Sequence, residues 1–363
     1  MQKTLLPARQ IALFCACVLP VYKLVELPSV LAQFSKGSIL LPALFQYALQ
    51  FGVLFALLYV CKNGEQPLLF RLQNRLGKWL YLFALLYGVF FLTFALLPIL
   101  DLEKFTYAVF YDTAPTTFTF GVFFLLCAFI ACKGLRTVGR FADVALFLFP
   151  ISLFALTAMS FAVCDLSSLL PLTGMPLAKF ISSLKYTALP FSDVVLLLPM
   201  LLVLDYKKGD TRKICIGYGV GIAFTLLFLA VFYGVFSTTA QKEHYAFAKI
   251  AQYFPALKVL GRMDLIFVYL ICIVLFFFTS LPVLYTVRCV KTVFPKLSTA
   301  ILSGTLSLGL FFFTLFCNKY YDGIYNVFGN VLFPVFWLFG LILPLSSLFF
   351  IGGKSREKHT STQ

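Results

Sequence analysis

Charged side chains are what this sequence has least of. They make up 12% of its 363 residues, about half the share that a soluble domain uses to cover its surface. Apolar residues make up 61% and aromatic ones 18%, with a mean hydropathy of +0.96. That composition excludes a soluble globular protein and indicates an integral membrane protein. Histidine is nearly missing: His244 and His359 are the only two. Without a histidine cluster or a C-x-x-C spacing, no metal site is expected. The ten cysteines are scattered in or beside apolar runs, where a thiol behaves as a small hydrophobe. No nucleotide-binding glycine loop, nucleophile–base pair or pair of acids in one cleft is legible, so neither an enzyme nor a cofactor is expected. No A-x-A site follows the first apolar run, so a cleavable signal peptide is not expected either.

Long apolar runs are what the sequence does have. Runs of about 20 residues fall near 9–34, 38–61, 78–100, 116–132, 141–164, 176–204, 214–237, 263–288, 298–317 and 327–351. Their content of Leu, Phe, Ala and Val, without strict alternation, argues for helices and against barrel strands. The expectation is an all-α membrane protein of about ten spans: one transmembrane domain, 1–351, and a polar cytoplasmic tail, 352–363. The net charge of +15 could suit nucleic acid, but its placement says otherwise. With the N-terminus inside, 19 of the 29 basic residues fall in cytoplasmic segments, which is the positive-inside rule and puts both termini in the cytoplasm. The bilayer, not nucleic acid, is the expected partner of this charge.

Two connections and one span carry further expectations. The basic segment 61–78 should lie along the anionic inner surface. The outside stretch 241–264 has Phe247, Ile250, Ala251 and Phe254 near helical spacing, and reads as an amphipathic interfacial helix. Gly217, Gly219 and Gly221 lie inside an apolar span, where small residues permit close helix packing.

Two spans are interrupted. The first holds "VLPVYKLVELPSVLA", with Pro20, Lys23, Glu26 and Pro28 inside the apolar run. A half-helix to about Leu19, a disturbed stretch from Pro20 to Val25 and a second half-helix are expected. The sixth holds "KYTALPFSDVVLLLPMLLVLD": Pro190 predicts a break near 189–191, after which Ser192 or Asp193 can cap the restarted helix. Among 29 basic and 14 acidic side chains, only Lys23, Glu26 and Asp193 are expected deep within a span. A charge at the bilayer centre costs several kcal/mol, and such residues face the protein interior or a watery cavity. Lys23 and Glu26, one turn apart, can neutralise each other or line a cavity with Asp193. The first and sixth of ten spans correspond if the chain is two five-helix halves of inverted topology. Matching broken helices are a pointer to a midplane site.

With both broken spans in view, the chain resembles the B subunits of spore germinant receptors, ten-span members of the amino acid, polyamine and organocation transporter superfamily. The stretches that carry the resemblance are "PARQIALF…ELPSVLAQFS", "GRFADVALFLFPI", "SLLPLTGMPLAKFISSLKYTALPFSDVVLLLPMLL" and "YFPALKVLGRMDLIFVYL". The chain departs from the family where glycines usually sit in the first break, here "PVYKLVE", and where a Gly-Glu pair is Ser192-Asp193. It also lacks the aromatic signature near the start of the second span. The resemblance implies a 5+5 inverted-repeat fold and a sensor of a small nutrient, often an amino acid. It implies a spore inner-membrane location beside an A subunit and a lipoprotein C subunit. On that reading Asp193 and the half-helix ends hold the ligand's polar groups, and Tyr22, Phe191 and Tyr87 form apolar walls. Two other readings stay open: a proton-coupled amino-acid permease, with Asp193 or Glu26 as proton carrier and Lys23 in place of a sodium ion, and a ligand-free scaffold subunit.

Overall fold

A computed structural model describes residues 5–63, 67–110, 116–171, 174–253 and 264–346. Among the described residues, regular structure is helical apart from one parallel bridge between Leu6 and Leu204. Helices are the expected outcome, because in lipid every backbone polar group must be satisfied within its own segment.

The first span is three pieces, α1 (Ala8–Cys17), α2 (Leu19–Lys23) and α3 (Leu27–Ser35), bent by 62° between Ala8–Lys23 and Leu27–Ser38. α4 (Leu40–Lys62) follows, then the short α5 (Leu68–Leu76), α6 (Trp79–Phe110), α7 (Thr116–Lys133) and α8 (Leu135–Phe161). The sixth apolar run is α9 (Leu177–Tyr186) and α10 (Asp193–Leu201), parted by Thr187–Ser192. Beyond it lie α11 (Asp210–Phe236), α12 (Ala246–Tyr253), α13 (Asp264–Val293), α14 (Thr299–Cys317), α15 (Tyr321–Asn330) and α16 (Phe333–Trp337), which runs into a π-turn, Leu338–Ile342. Among the described residues, six helices are long and apolar enough to cross a membrane, and a seventh if the bent first pair is one span. The protein is a multi-pass membrane protein. Pro98, Pro150, Pro199 and Pro282 sit inside helices that continue through them.

α1 packs against α11 and α8, while α6 lies along α13. The α1–α11 contact depends on two of the three expected glycines: a Cβ at Gly217 would overlap the Ala12 carbonyl, and one at Gly221 the Cys15 carbonyl. Gly219 meets nothing. The spacing Gly-x-x-x-Gly thus puts the backbone of the broken first span against α11.

Three expectations are corrected. The first break falls at Leu24–Glu26, later than expected. Pro20 sits in the first turn of α2 and Pro28 in the first turn of α3, where a missing N–H is no loss, so each proline starts a piece. The stretch expected at the membrane interface forms α12, but its apolar face is buried in the protein: Phe247, Ile250 and Ala251 are all 2% exposed or less. Phe254 lies outside the described residues, as does the tail 352–363. Finally, Lys23, Glu26 and Asp193 are not the only charges deep in the fold. α6 runs past the expected end of its span, and Asp101 on it is 3% exposed.

The segment 61–78, expected on the inner surface, holds α5. Leu68 packs with Val60 and Cys61, and Arg71 donates to the Val60 carbonyl at 2.8 Å.

Candidate functional site

Breaking a helix leaves backbone groups without partners. At the first break the Leu24 and Val25 carbonyls accept from the amides of Phe247 and Ala246, at 3.2 and 2.8 Å. α12 therefore supplies the donors that a continuous helix would have supplied. At the second break neither expected cap forms. The Ser192 hydroxyl turns back and donates to the Ala188 carbonyl at 2.8 Å. Gln50 of α4 accepts from the Val194 amide at 3.1 Å through its Oε1. Gln46, one turn away, donates to Thr187 at 2.5 Å.

With its helix capped from α4, Asp193 is free to face the first span. Lys23 Nζ donates to Asp193 Oδ1 at 2.5 Å, and the Tyr218 hydroxyl of α11 donates to Oδ2 at 2.8 Å. Both side chains of the pair are 2% exposed or less. The ammonium lies 5.4 Å from the ring centre of Tyr47 and 5.5 Å from that of Phe191. Tyr47 in turn donates to Thr225 at 2.8 Å. An ion pair so deeply buried is tolerated only when its remaining hydrogen-bonding capacity is met, and here tyrosine and ring faces supply it.

A second polar cluster adjoins the first. Tyr22, next to Lys23, donates to Asp101 Oδ2 at 2.6 Å and stacks on Phe278 of α13 at 5.4 Å. Tyr321 of α15 lies 2.6 Å from Asp101 Oδ1 and 3.2 Å from Glu26 Oε2, so one phenol joins two carboxylates. Lys104 sits 3.5 Å above the Tyr321 ring. Of the two partners the sequence leaves open for Lys23, the structure selects Asp193. Glu26 turns instead to Tyr321.

A cleft of ≈ 490 Å³ empty space, open solvent included, runs over this second cluster. Its wall takes Tyr22, Glu26 and Val30 from the first break, Asp101 from α6, and Lys185, Thr187 and Pro190 from the second. α15 closes it with Tyr325 and Phe328. Phe34, Tyr186, Tyr325 and Tyr321 form a run of stacked rings, at 5.2, 5.9 and 6.2 Å, whose middle two members line the cleft. A smaller cavity of ≈ 270 Å³, with the same inclusion of solvent, touches Gln50, Phe191, Ser192 and Trp337.

Tyr22 and Glu26 thus line the cleft. Lys23 and Asp193 form the sealed layer beside it, and Phe191 and Ser192 both touch the smaller cavity. Tyr87 stands apart, 5.1 Å from Phe339 and 6.1 Å from Phe91, and it borders neither cavity. Sequence reasoning misses Tyr47, Gln50, Asp101, Tyr218 and Tyr321. The pair Gln46 and Gln50, one turn apart in an apolar run, is the one signal that could have marked α4 as lining something polar.

No group of three or more metal-ligating side chains occurs among the described residues. A family model described as spore germination protein matches residues 38–322. No curated protein matches the chain.

Proposed function

The chain belongs to the spore germination protein family, and from that premise we propose that it is the membrane subunit that binds a small nutrient germinant. On this reading it is the receptor's B subunit, and it passes the occupied state to an A subunit and a lipoprotein C subunit in the spore inner membrane. The observation that carries the proposal is the cleft where the two broken spans meet, floored by polar groups from both breaks. Its chemistry suits an amino acid: carboxylates Glu26 and Asp101 for an ammonium, Lys185 for a carboxylate, and the tyrosine stack for an apolar side chain. Asp193, Lys23, Ser192 and Phe191 act on the ligand through the shape of the breaks. This reading takes the fold as ten spans in two inverted halves, with both termini cytoplasmic. That places the cleft on the outer side of the breaks, since Val30, Asp101 and Lys185 all fall in outer half-spans.

A second reading is a proton-coupled amino-acid permease. The chain of hydroxyls and carboxylates from Tyr22 through Asp101 and Tyr321 to Glu26 is what a proton carrier would use. The deciding experiment offers labelled amino acids to liposomes holding the protein or Asp193→Asn, with and without a proton gradient. Saturable binding without accumulation, lost in the variant, supports the sensor. Gradient-driven accumulation lost in the variant makes the protein a permease. Neither binding nor uptake leaves the ligand-free scaffold.

A further inference from the structure

Lys23 sits in surroundings built for a primary ammonium. Its Nζ has Asp193 Oδ1 at 2.5 Å, the Leu19 carbonyl at 3.5 Å, and the rings of Tyr47 and Phe191 at 5.4 and 5.5 Å. One carboxylate and one carbonyl that accept its hydrogen bonds, with two aromatic faces, form the set that recognises an alkylammonium. The other carboxylate oxygen is held by Tyr218, so Asp193 is oriented whether or not an ammonium is present. The four groups come from α2, α4, the second break and α10. Tyr47 and Phe191 also brace each other edge to face at 4.9 Å. The pocket wall does not depend on Lys23 for its shape.

The lysine itself is the last residue of Ala8–Lys23, which stays helical through Val18 and ends at the unwound Leu24–Glu26. At the last residue of a helix that stops at the break, the ammonium is carried on its own four-carbon side chain, a tether into the junction.

We propose that Lys23 is a tethered internal ligand: the junction of the two breaks is a binding site for a primary alkylammonium, and the chain fills it with its own side chain. While Lys23 is seated, a free amine is excluded from Asp193, and an external ammonium is read only in the outer cleft. The inference goes beyond the nutrient-binding reading, and its test needs no nutrient, so either can fail alone.

Truncation to alanine removes Cγ, Cδ, Cε and Nζ, which together are n-propylamine. The full-length chain, Lys23→Ala and Lys23→Ala/Asp193→Asn are purified in detergent and melted with increasing n-propylammonium chloride. Tetramethylammonium chloride at equal ionic strength is the control. The single variant gains a saturable rise in Tm from n-propylammonium. At about 100 times Kd its folding equilibrium moves about 100-fold toward the native state. Tetramethylammonium, which cannot donate a hydrogen bond to Asp193, gives no such rise. The unsubstituted protein and the double variant do not respond to the amine. An equal response in all three proteins, or none in Lys23→Ala, overturns the proposal. If Lys23→Ala is not recovered folded, the yield of monodisperse protein from membranes solubilised with and without the amine is read instead. An amine-dependent yield supports the site, and equal yields overturn it.

Discussion

Asp193 gives each of its oxygens to a different helix: one to Lys23 on α2, the other to Tyr218 on α11. Removing one member of a buried pair strands the other charge, at a cost of about 3–5 kcal/mol, whereas replacing both with apolar groups is often neutral. Asp193→Asn is therefore expected to lower thermal stability in detergent strongly, and Lys23→Met/Asp193→Leu to regain most of it. A double variant as unstable as the worse single one would show that the pair is not the coupled unit. Tyr321 presents a different case, one hydroxyl serving two carboxylates. Tyr321→Phe removes the single donor that Asp101 and Glu26 share, at about 1–3 kcal/mol, while Asp101 keeps Tyr22. If the cleft is the proposed amino-acid site, this substitution should weaken binding there, read by equilibrium binding of labelled amino acids to the purified protein. Unchanged affinity would take Tyr321 out of the site.

At the scale of elements, the breaks are held by segments distant in sequence. Gln50 of α4 caps α10, so Gln50→Leu should destabilise the protein by about 1–3 kcal/mol through an unpaired buried amide, seen as a lower Tm. Gly217→Val should separate α1 from α11, because a side chain there meets the Ala12 backbone. Its expected outcome is loss of folded protein by size-exclusion in detergent, with Gly219→Val as the tolerated control. Both interrupted spans were legible, because Pro with charge inside an apolar run has few structural meanings. Their fine structure was not. A proline can break a helix or begin one, and Pro20 and Pro28 begin theirs. The periodicity of α12 is the same whether its apolar face meets lipid or protein, so Phe247 looked interfacial and is buried. Asp101 was hidden because it falls one residue past the expected end of the third run, on a helix that continues to Phe110. Tyr47 and Tyr218 carry no sequence mark that separates them from the other 16 tyrosines, since only the fold brings them beside Lys23.

For the whole molecule, the proposed ten spans with both termini cytoplasmic fix a testable orientation. A single cysteine at position 179, in an otherwise cysteine-free protein, should react with an impermeant maleimide added outside. One at position 208 should react only after the membrane is opened. The reverse pattern would invert the topology and put the cleft on the cytoplasmic side. The interior is also not isolated from the surface. Two amides of α12 complete the backbone of the first span where it unwinds, and α12 belongs to the connection between α11 and α13. That connection acts as a splint set from outside across a fracture within. Lifting it would bare two carbonyls at the centre of the fold, beside Lys23. A force or a partner acting on that connection would thus reach the buried Lys23–Asp193 pair without passing through the cleft.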